Sequence, residues 1–146
     1  MSLVSVIALV SATLFAGAAL YISLVEHPAR LALSDSASLT QWQPSYKRAL
    51  PFQSGLAVAG GLSGVICFYL TADFRWLAGS IAMLANWPFT LFIIFPVNKR
   101  LLAIRPVEAD RETRGLLRKW GALHNVRSAL GAAAVLLFAW AAVTAG

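Results

Sequence analysis

The sequence contains little charge and few of the residues from which soluble enzymes build their sites. Only 12% of its 146 residues are charged, six are acidic, two are histidine and one is cysteine. The single thiol, Cys67, excludes an internal disulfide, and among its apolar neighbours it is expected to be a small core residue. A glycine-rich phosphate loop, a His-x-x-x-His pair and a nucleophile elbow are also absent, which argues against nucleotide-dependent and acyl-transfer enzymes.

Apolar residues, in contrast, make up 59% of the chain, above the roughly 45–50% of ordinary soluble domains. They fall into four runs, each of the ~20 residues that a membrane-spanning helix needs. A backbone in lipid must satisfy its own hydrogen bonds, and the alternation typical of barrel strands is missing, so the runs are predicted to be helices. The sequence predicts one all-α domain, an antiparallel integral membrane four-helix bundle with spans at about 3–25, 50–71, 74–97 and 120–144.

The two longer connections between the spans are predicted to contain short interfacial helices. A helix start is indicated at Ser34, and residues 39–49 are expected to form a helix that runs into the second span. In the other connection Pro106 is expected to open a helix. Glu108 and Asp110 would then lie in its first turns, where the helix dipole favours acidic groups.

The basic residues are concentrated in the same two connections. Ten of the 12 lysines and arginines lie there and one lies in the opposite turn. The positive-inside rule therefore predicts cytoplasmic loops, both termini outside, and a place in the inner (cytoplasmic) membrane of the cell. The formal net charge of +6 is explained by insertion and by contact with anionic lipid head groups. The expected partners are thus the bilayer and a lipophilic small molecule rather than nucleic acid, and a homo-oligomer is compatible with this composition.

Two short polar clusters at the ends of apolar runs hold both histidines. Glu26-His27-Pro28 ends the first run, and His124-Asn125-Val126-Arg127 opens the fourth. A charged group at the centre of a spanning helix costs roughly 2.5–3.5 kcal/mol on insertion scales, so such groups usually have a function. The predicted topology brings both clusters, together with Gln53 and Asn98, to one membrane face.

A further polar residue, Asn86, lies deeper in the third span beside Trp87 and Pro88. Because proline lacks an N–H, the carbonyl of Leu84 loses its helical donor, and a local opening of the helix is predicted there.

The polar groups suggest two kinds of chemistry. Glu26, His27 and His124, with Asn98 as a weak fourth ligand, could hold one transition metal such as copper, iron or zinc. Adjacent Glu and His side chains diverge by about 100° on a helix, which weakens a site that needs both. Alternatively, without a metal, a histidine could act as a base and Arg127 could stabilise an oxyanion. The sequence leaves the cofactor open between one metal and none.

Each of these residues also has a structural interpretation. Glu26 could simply pair with Arg30 or Arg127, and Asn86 could join two helices by hydrogen bonds. Trp120, like Trp42 and Trp76, fits an aromatic belt at the membrane surface. Trp87 is too deep for such a belt, so it either packs in the core or faces a flat ligand.

The order of the short motifs resembles the anthrone-oxygenase-like family of small four-helix integral membrane proteins, which is largely a domain-of-unknown-function family. The resemblance covers nearly the whole chain and rests on residues 24–30, 42–48, 86–88, 96–98 and 120–127. It implies the four-helix fold. The characterised fungal members of that family oxidise anthrones to anthraquinones with dioxygen.

The resemblance thus implies a monooxygenase that acts on a flat phenolic, anthrone-like or quinol-like lipophilic substrate. For this chemistry we predict catalytic roles for His27, His124, Glu26 and Arg127. His124 or His27 would remove a proton, Glu26 would hold the tautomer of that histidine, and Arg127 would stabilise the enolate. The predicted substrate-binding residues are Asn86, Trp87, Trp120 and Gln53. The alternative is a non-enzymatic membrane protein that binds a metal, quinone or lipid, or a small subunit of a membrane complex.

Overall fold

Four long helices account for nearly all of the chain in the computed structural model, which describes residues 2–144. They are α1 (Leu3–Leu31), α2 (Asp35–Thr71), α3 (Phe74–Ala103) and α4 (Arg111–Thr144). All four are long and apolar enough to cross a membrane, and residues 2–144 contain no strand. The predicted all-α, multi-pass membrane bundle is therefore confirmed.

The helices pack as an antiparallel bundle in which α1 and α3 each contact both α2 and α4. The link between α2 and α3 is the two-residue turn Ala72-Asp73, at the end of the bundle opposite to the two longer connections. Ala72 takes a left-handed conformation with φ of 55°, and the Asp73 carboxylate caps α3 by accepting the Arg75 N–H at 2.9 Å. Hydrogen bonds from the Arg75 side chain hold the pKa of Asp73 below its ordinary value.

The segment predicted as an interfacial helix over 39–49 is the first part of α2 and continuous with its membrane span. The helix starts after Ser34, whose hydroxyl accepts the N–H of Ala37 at 3.3 Å. Its 37 residues correspond to a length of about 55 Å, whereas the hydrocarbon core of a bilayer is about 30 Å thick. The N-terminal turns of α2 therefore project beyond the hydrocarbon.

The helix predicted to open at Pro106 is present but shorter than expected, and it is separate from the fourth span. Pro106–Glu108 forms a single 3₁₀ turn, and α4 begins at Arg111. The start is set by a reciprocal cap, in which Asp110 accepts the Thr113 N–H at 2.9 Å and the Thr113 hydroxyl accepts the Asp110 N–H at 3.2 Å. This cap satisfies donors that would otherwise be free at the start of α4.

Two apolar clusters divide the core along the length of the bundle. A terminal-side core lies towards the chain ends and includes Phe15, Met83 and Phe138. A loop-side core lies towards the two longer connections and includes Leu39, Trp42 and Trp120. Buried polar residues lie between the two along the helices: Gln53 on α2, Asn86 on α3, and His124, Arg127 and Ser128 on α4.

Helices α1 and α3 each contain an irregular turn followed by a proline. Ile22–Glu26 and Thr90–Ile94 are π-helical turns, and each is followed after one residue by a proline, Pro28 or Pro96. A π turn adds one residue to the helix and is frequent at functional sites. In addition, α3 is interrupted at Ala85, three residues before Pro88, so the predicted opening of this helix is confirmed.

Close packing of α2 on α3 and α4 depends on Gly64. A Cβ atom at this position would lie 2.6 Å from Cζ of Phe138 and would also collide with the Ser80 hydroxyl. We expect Gly64→Ala to lower the free energy of unfolding by about 1–3 kcal/mol, as overpacking does in other cores, with thermal unfolding in detergent as the measurement. Gly55→Ala, on the same helix with nothing within 4 Å of the new Cβ, is the control. Equal melting temperatures for the two variants would contradict the expectation.

Candidate functional site

A polar network near the loop-side core is centred on the half-buried Glu26. One carboxylate oxygen, Oε1, accepts hydrogen bonds from the Arg30 guanidinium, from the Ser45 hydroxyl at 2.7 Å and from Gln41 Nε2 at 3.0 Å. Ser45 and Gln41 come from α2, so the network ties α1 to α2. Of the two partners considered for Glu26, Arg30 forms the ion pair and Arg127 does not contribute to it.

His27 is oriented by Arg30 rather than by Glu26. Arg30 Nη1 lies 3.0 Å from His27 Nδ1. A guanidinium can only donate, so Nδ1 accepts this bond and the neutral ring carries its proton on Nε2. His27 Nε2 is buried and makes no hydrogen bond of good geometry, with the Leu117 carbonyl of α4 close to the ring. Gly121 on the same helix makes room for the ring because it has no Cβ. The predicted tautomer control by Glu26 is therefore indirect and passes through Arg30.

His124 has no such partner. The residue is 2% exposed, and neither ring nitrogen makes a hydrogen bond of good geometry in residues 2–144, while the Ala19 carbonyl approaches the ring. The ring stacks on Trp120 with centroids 4.9 Å apart and an interplanar angle of 12°. Of the two predicted bases, His124 is thus the one whose nitrogens have no charged partner.

Trp120 lies in the core and separates the two imidazoles. Its ring is 5.2 Å from that of His27 and 5.7 Å from that of Trp42, in addition to the stack on His124. Trp42, Trp76 and Trp120 are all buried, so the prediction that they form an aromatic belt is wrong. Trp42 and Trp120 pack on each other in the loop-side core, and Trp76 packs on Phe138 in the terminal-side core. Hydropathy alone does not indicate these contacts.

A small inner cavity of about 20 Å³ lies beside His124, enough for about one water molecule. Its wall brings together residues from α1, α2 and α4: Arg30, Tyr46, Gln53, Trp120, His124 and Arg127. Four of the predicted site residues, Gln53 on α2 and Trp120, His124 and Arg127 on α4, therefore share the wall of this cavity.

A larger outer cleft of about 330 Å³ runs between α2 and α3. Its wall is mostly apolar, with Trp87, Leu91 and Phe95 at the exposed surface of the bundle. Trp87 is 41% exposed, so of the two predictions for this residue the packed-core one is wrong. The cleft also shares Tyr46, Leu50 and Arg127 with the inner cavity. These three side chains separate the apolar outer cleft from the more polar inner cavity.

Arg127 is a buried cation with no ion pair among residues 2–144. The residue is 7% exposed, its Nε has no hydrogen-bond partner, and its guanidinium carbon lies 5.6 Å from the centre of the Phe15 ring. A buried charge is costly unless it is paired. The guanidinium faces both chambers, so the arrangement favours an anionic or strongly polar ligand at this point.

The cleft also holds acceptors without donors. Asn86 donates its amide N–H groups to the carbonyls of Ala82 and Met83, both at 3.1 Å, while its Oδ1 is buried without a partner. Thr90 Oγ1 in the π turn is likewise unpartnered. Buried polar atoms are normally satisfied, so these two atoms are suited to meet a ligand in the cleft.

Tyr46 is a site residue that the sequence does not single out. Its ring stacks on Trp42 with centroids 4.9 Å apart and an angle of 8°, and its hydroxyl accepts a hydrogen bond from Asn98 Nδ2 at 3.0 Å. The spacing of four residues between Trp42 and Tyr46 is compatible with this stack on a helix, but an interfacial helix over 39–49 gives no reason to expect it in the core. Asn98, predicted as a weak metal ligand, instead holds Tyr46.

The donor set does not fit the predicted metal site. Residues 2–144 contain no group of three or more His, Cys, Asp or Glu side chains placed to share an ion. Glu26 Oε1 is committed to Arg30, Ser45 and Gln41, and the accepting nitrogen of His27 faces the Arg30 guanidinium, which would repel a cation. The interpretation as a metal centre therefore finds no support in this geometry.

Comparison with known proteins places these residues in a wider context. The sequence model of the anthrone oxygenase family matches residues 42–137, a range that holds Tyr46, Asn86, His124 and Arg127. A curated anthrone oxygenase from Claviceps purpurea (strain 20.1) is 29% identical over 150 residues, covering 92% of this chain and 85% of the relative. No solved structure matches the chain significantly.

Proposed function

Because this chain belongs to the anthrone oxygenase family, we propose that it is a membrane oxygenase for a flat, lipophilic, anthrone-like or phenolic substrate. The observation that carries the proposal is the position of Arg127. Its buried guanidinium has no counter-ion among residues 2–144 and lines both the apolar cleft and the chamber of His124. A substrate that becomes an oxyanion during the reaction would supply the missing charge.

The outer cleft suits the proposed substrate. Its volume of about 330 Å³ lies within the roughly 300–1,000 Å³ typical of ligand pockets. A flat ring system would lie against Trp87 and Phe95, with its carbonyl oxygen towards Arg127. Entry would be direct from the lipid, because Trp87, Leu91 and Phe95 are exposed on the surface of a helical bundle that is apolar enough to span a membrane.

The first step would be removal of a proton from the methylene carbon opposite the carbonyl. His124 is the candidate base because its ring nitrogens make no hydrogen bond of good geometry. It borders the inner cavity and not the outer cleft, so it would take the proton through one water molecule in that cavity, and a positioned base contributes typically about 10²–10⁴-fold to rate. The electron pair of the C–H bond would pass into the ring system and onto the carbonyl oxygen. Arg127 would stabilise the resulting enolate. Glu26 and His27 would act by positioning, through Arg30.

The enolate would then react with dioxygen, which is the oxidant and is supplied by solution. A carbon–oxygen bond forms at the deprotonated carbon and gives a peroxide anion, which takes back the proton held by His124 and becomes a hydroperoxide. Loss of water from that peroxide breaks the O–O bond and the second C–H bond, leaving a new carbonyl. Overall, one anthrone and one O₂ give one anthraquinone and one H₂O, with the substrate carbon oxidised and dioxygen reduced.

The site lies towards the end of the bundle that carries the two basic connections. We propose, from the positive-inside rule, that this end faces the cytoplasm and that both termini lie outside. The chemistry would then take place near the cytoplasmic surface of the inner membrane, with the bilayer as the source of substrate.

Oxygen consumption by the purified full-length protein with anthrone tests the proposal. We expect one O₂ consumed per anthraquinone formed. Trp87→Ala should raise KM roughly three- to tenfold, as expected for loss of an aromatic contact worth about 0.5–1.5 kcal/mol. Trp140→Ala is the matched control, because Trp140 is 59% exposed and lies outside the cleft. Saturable binding of anthrone without oxygen consumption would instead favour a non-enzymatic binding protein.

A further inference from the structure

Tyr46 lies at the boundary between the two chambers. Together with Leu50 and Arg127 it belongs to the wall of both the inner cavity and the outer cleft. Of these three residues, Tyr46 and Arg127 carry hydrogen-bond donors. Any oxygen atom of a ligand that reaches Arg127 from the cleft therefore also reaches the neighbourhood of the Tyr46 ring.

The ring of Tyr46 is held in place from two sides. One face stacks on Trp42, with centroids 4.9 Å apart and nearly parallel planes. Asn98 fixes the hydroxyl by donating from Nδ2 over 3.0 Å. Trp42 is fully buried and Asn98 is 1% exposed, so this support belongs to the rigid core of the bundle.

The hydrogen bond from Asn98 determines what the Tyr46 hydroxyl can still do. A phenol oxygen can accept and its O–H can donate. In the amide orientation that the structure gives Asn98, its N–H occupies an acceptor position of the Tyr46 oxygen. The Tyr46 O–H then donates to no group in residues 2–144, and the Asn98 Oδ1 has no partner either. This hydroxyl can therefore still donate its proton to a ligand. Tyr46 lines both the inner cavity and the outer cleft, so such a ligand could lie in either.

We propose that Tyr46 is a second oxyanion donor, which with Arg127 forms a two-donor site for the substrate oxygen. This role rests on the proposed function, since it assigns the atoms that hold the enolate of that reaction. Asn98 is then a positioning residue that presents the Tyr46 O–H to the ligand. Two preorganised donors on one oxygen form a geometry that stabilises charge developing in a transition state.

The proposal is tested by a ligand that reports its own ionisation. The probe is 2-naphthol, a flat phenol whose neutral and ionised forms absorb differently, titrated with the full-length protein in detergent. Bound naphthol should ionise at lower pH than in protein-free micelles. Tyr46→Phe should raise that pH by about one to two units, as expected for loss of a hydrogen bond to a charged group. Tyr69→Phe, on the same helix but 80% exposed, should leave it unchanged.

A second variant separates the donor role from a packing role. Asn98→Asp replaces an amide that donates to Tyr46 by a carboxylate that can only accept, so the Tyr46 O–H should turn away from the ligand. We expect Asn98→Asp to shift the naphthol titration in the same direction as Tyr46→Phe. In the anthrone assay, Tyr46→Phe should lower kcat about 10- to 100-fold with little change in KM.

The outcomes distinguish this proposal from the proposed function. A naphthol titration that is the same in wild type, Tyr46→Phe and Asn98→Asp would overturn the role of Tyr46, even if anthrone is oxidised. A shift in both variants supports the two-donor site whether or not the wild type consumes oxygen. A wild-type protein that consumes no oxygen with anthrone could still lower the pH at which bound naphthol ionises. That result would overturn the oxygenase proposal and leave the oxyanion site in place.

Discussion

The variant His124→Ala is expected to lose turnover while keeping its fold. We expect kcat with anthrone to fall by about 10²–10⁴-fold, the usual contribution of a positioned base. The bundle should survive, because the imidazole makes no hydrogen bond of good geometry and no ion pair within residues 2–144, and the truncation removes its stack on Trp120 and its contact with the Ala19 carbonyl. Oxygen consumption measures the first effect, and thermal unfolding in detergent measures the second.

Two controls make this result specific to the His124 ring. Asn125→Ala changes the adjacent, exposed residue of the same helix and should leave kcat unchanged. Added imidazole should restore part of the activity of His124→Ala, since the truncation opens space beside the inner cavity. A kcat for His124→Ala equal to that of the wild type would refute the role of His124 as the base. His27, whose accepting nitrogen is engaged by Arg30, would then be the candidate.

Arg127→Met is expected to move activity and stability in opposite directions. Removal of an oxyanion donor typically costs about 10²–10³-fold in kcat. Exchange of an unpaired buried charge for an apolar side chain of similar length should instead leave the melting temperature unchanged or raise it. The anthrone assay and thermal unfolding in detergent measure the two effects on the same samples.

The matched control is Arg118→Met, which removes an exposed arginine from the same helix and should change neither quantity. A fall in both kcat and melting temperature for Arg127→Met would indicate that the guanidinium is a structural element of the bundle. Unchanged kcat would refute the proposed anion site, and with it the central observation behind the function.

The fold could be predicted because hydropathy, charge and proline act locally. Four apolar runs gave the four helices, and Pro88 indicated the interruption that the structure has at Ala85. The boundaries were harder, because side-chain caps decide them: the Asp110–Thr113 pair starts α4 five residues after Pro106. A capping pair of this kind competes with the proline signal and prevails.

The site was predicted in its composition but not in its connections. The free-energy cost of a polar group in a membrane-spanning helix indicated His124 and Arg127 as site residues. The structure places both at the inner cavity. The pairing of Arg30 with His27 and Glu26 follows helical spacing, yet which partner each atom takes depends on side-chain rotamers. Tyr46 escaped notice because a tyrosine near a membrane surface is ordinary, and only the packing of α2 against Asn98 gives it a role.

The π turns make the number of residues in α1 and α3 part of the function. Each turn acts as a one-residue insertion, and the residues after it are rotated by about 100° relative to an uninterrupted helix. Asn98 lies four residues after the turn at Thr90–Ile94 and meets Tyr46 in that rotated phase. A homologue with one residue deleted there could fold as a smoother bundle and lose the contact. Point substitutions alone would therefore not describe how such sites diverge, since indels within a helix re-aim every side chain downstream.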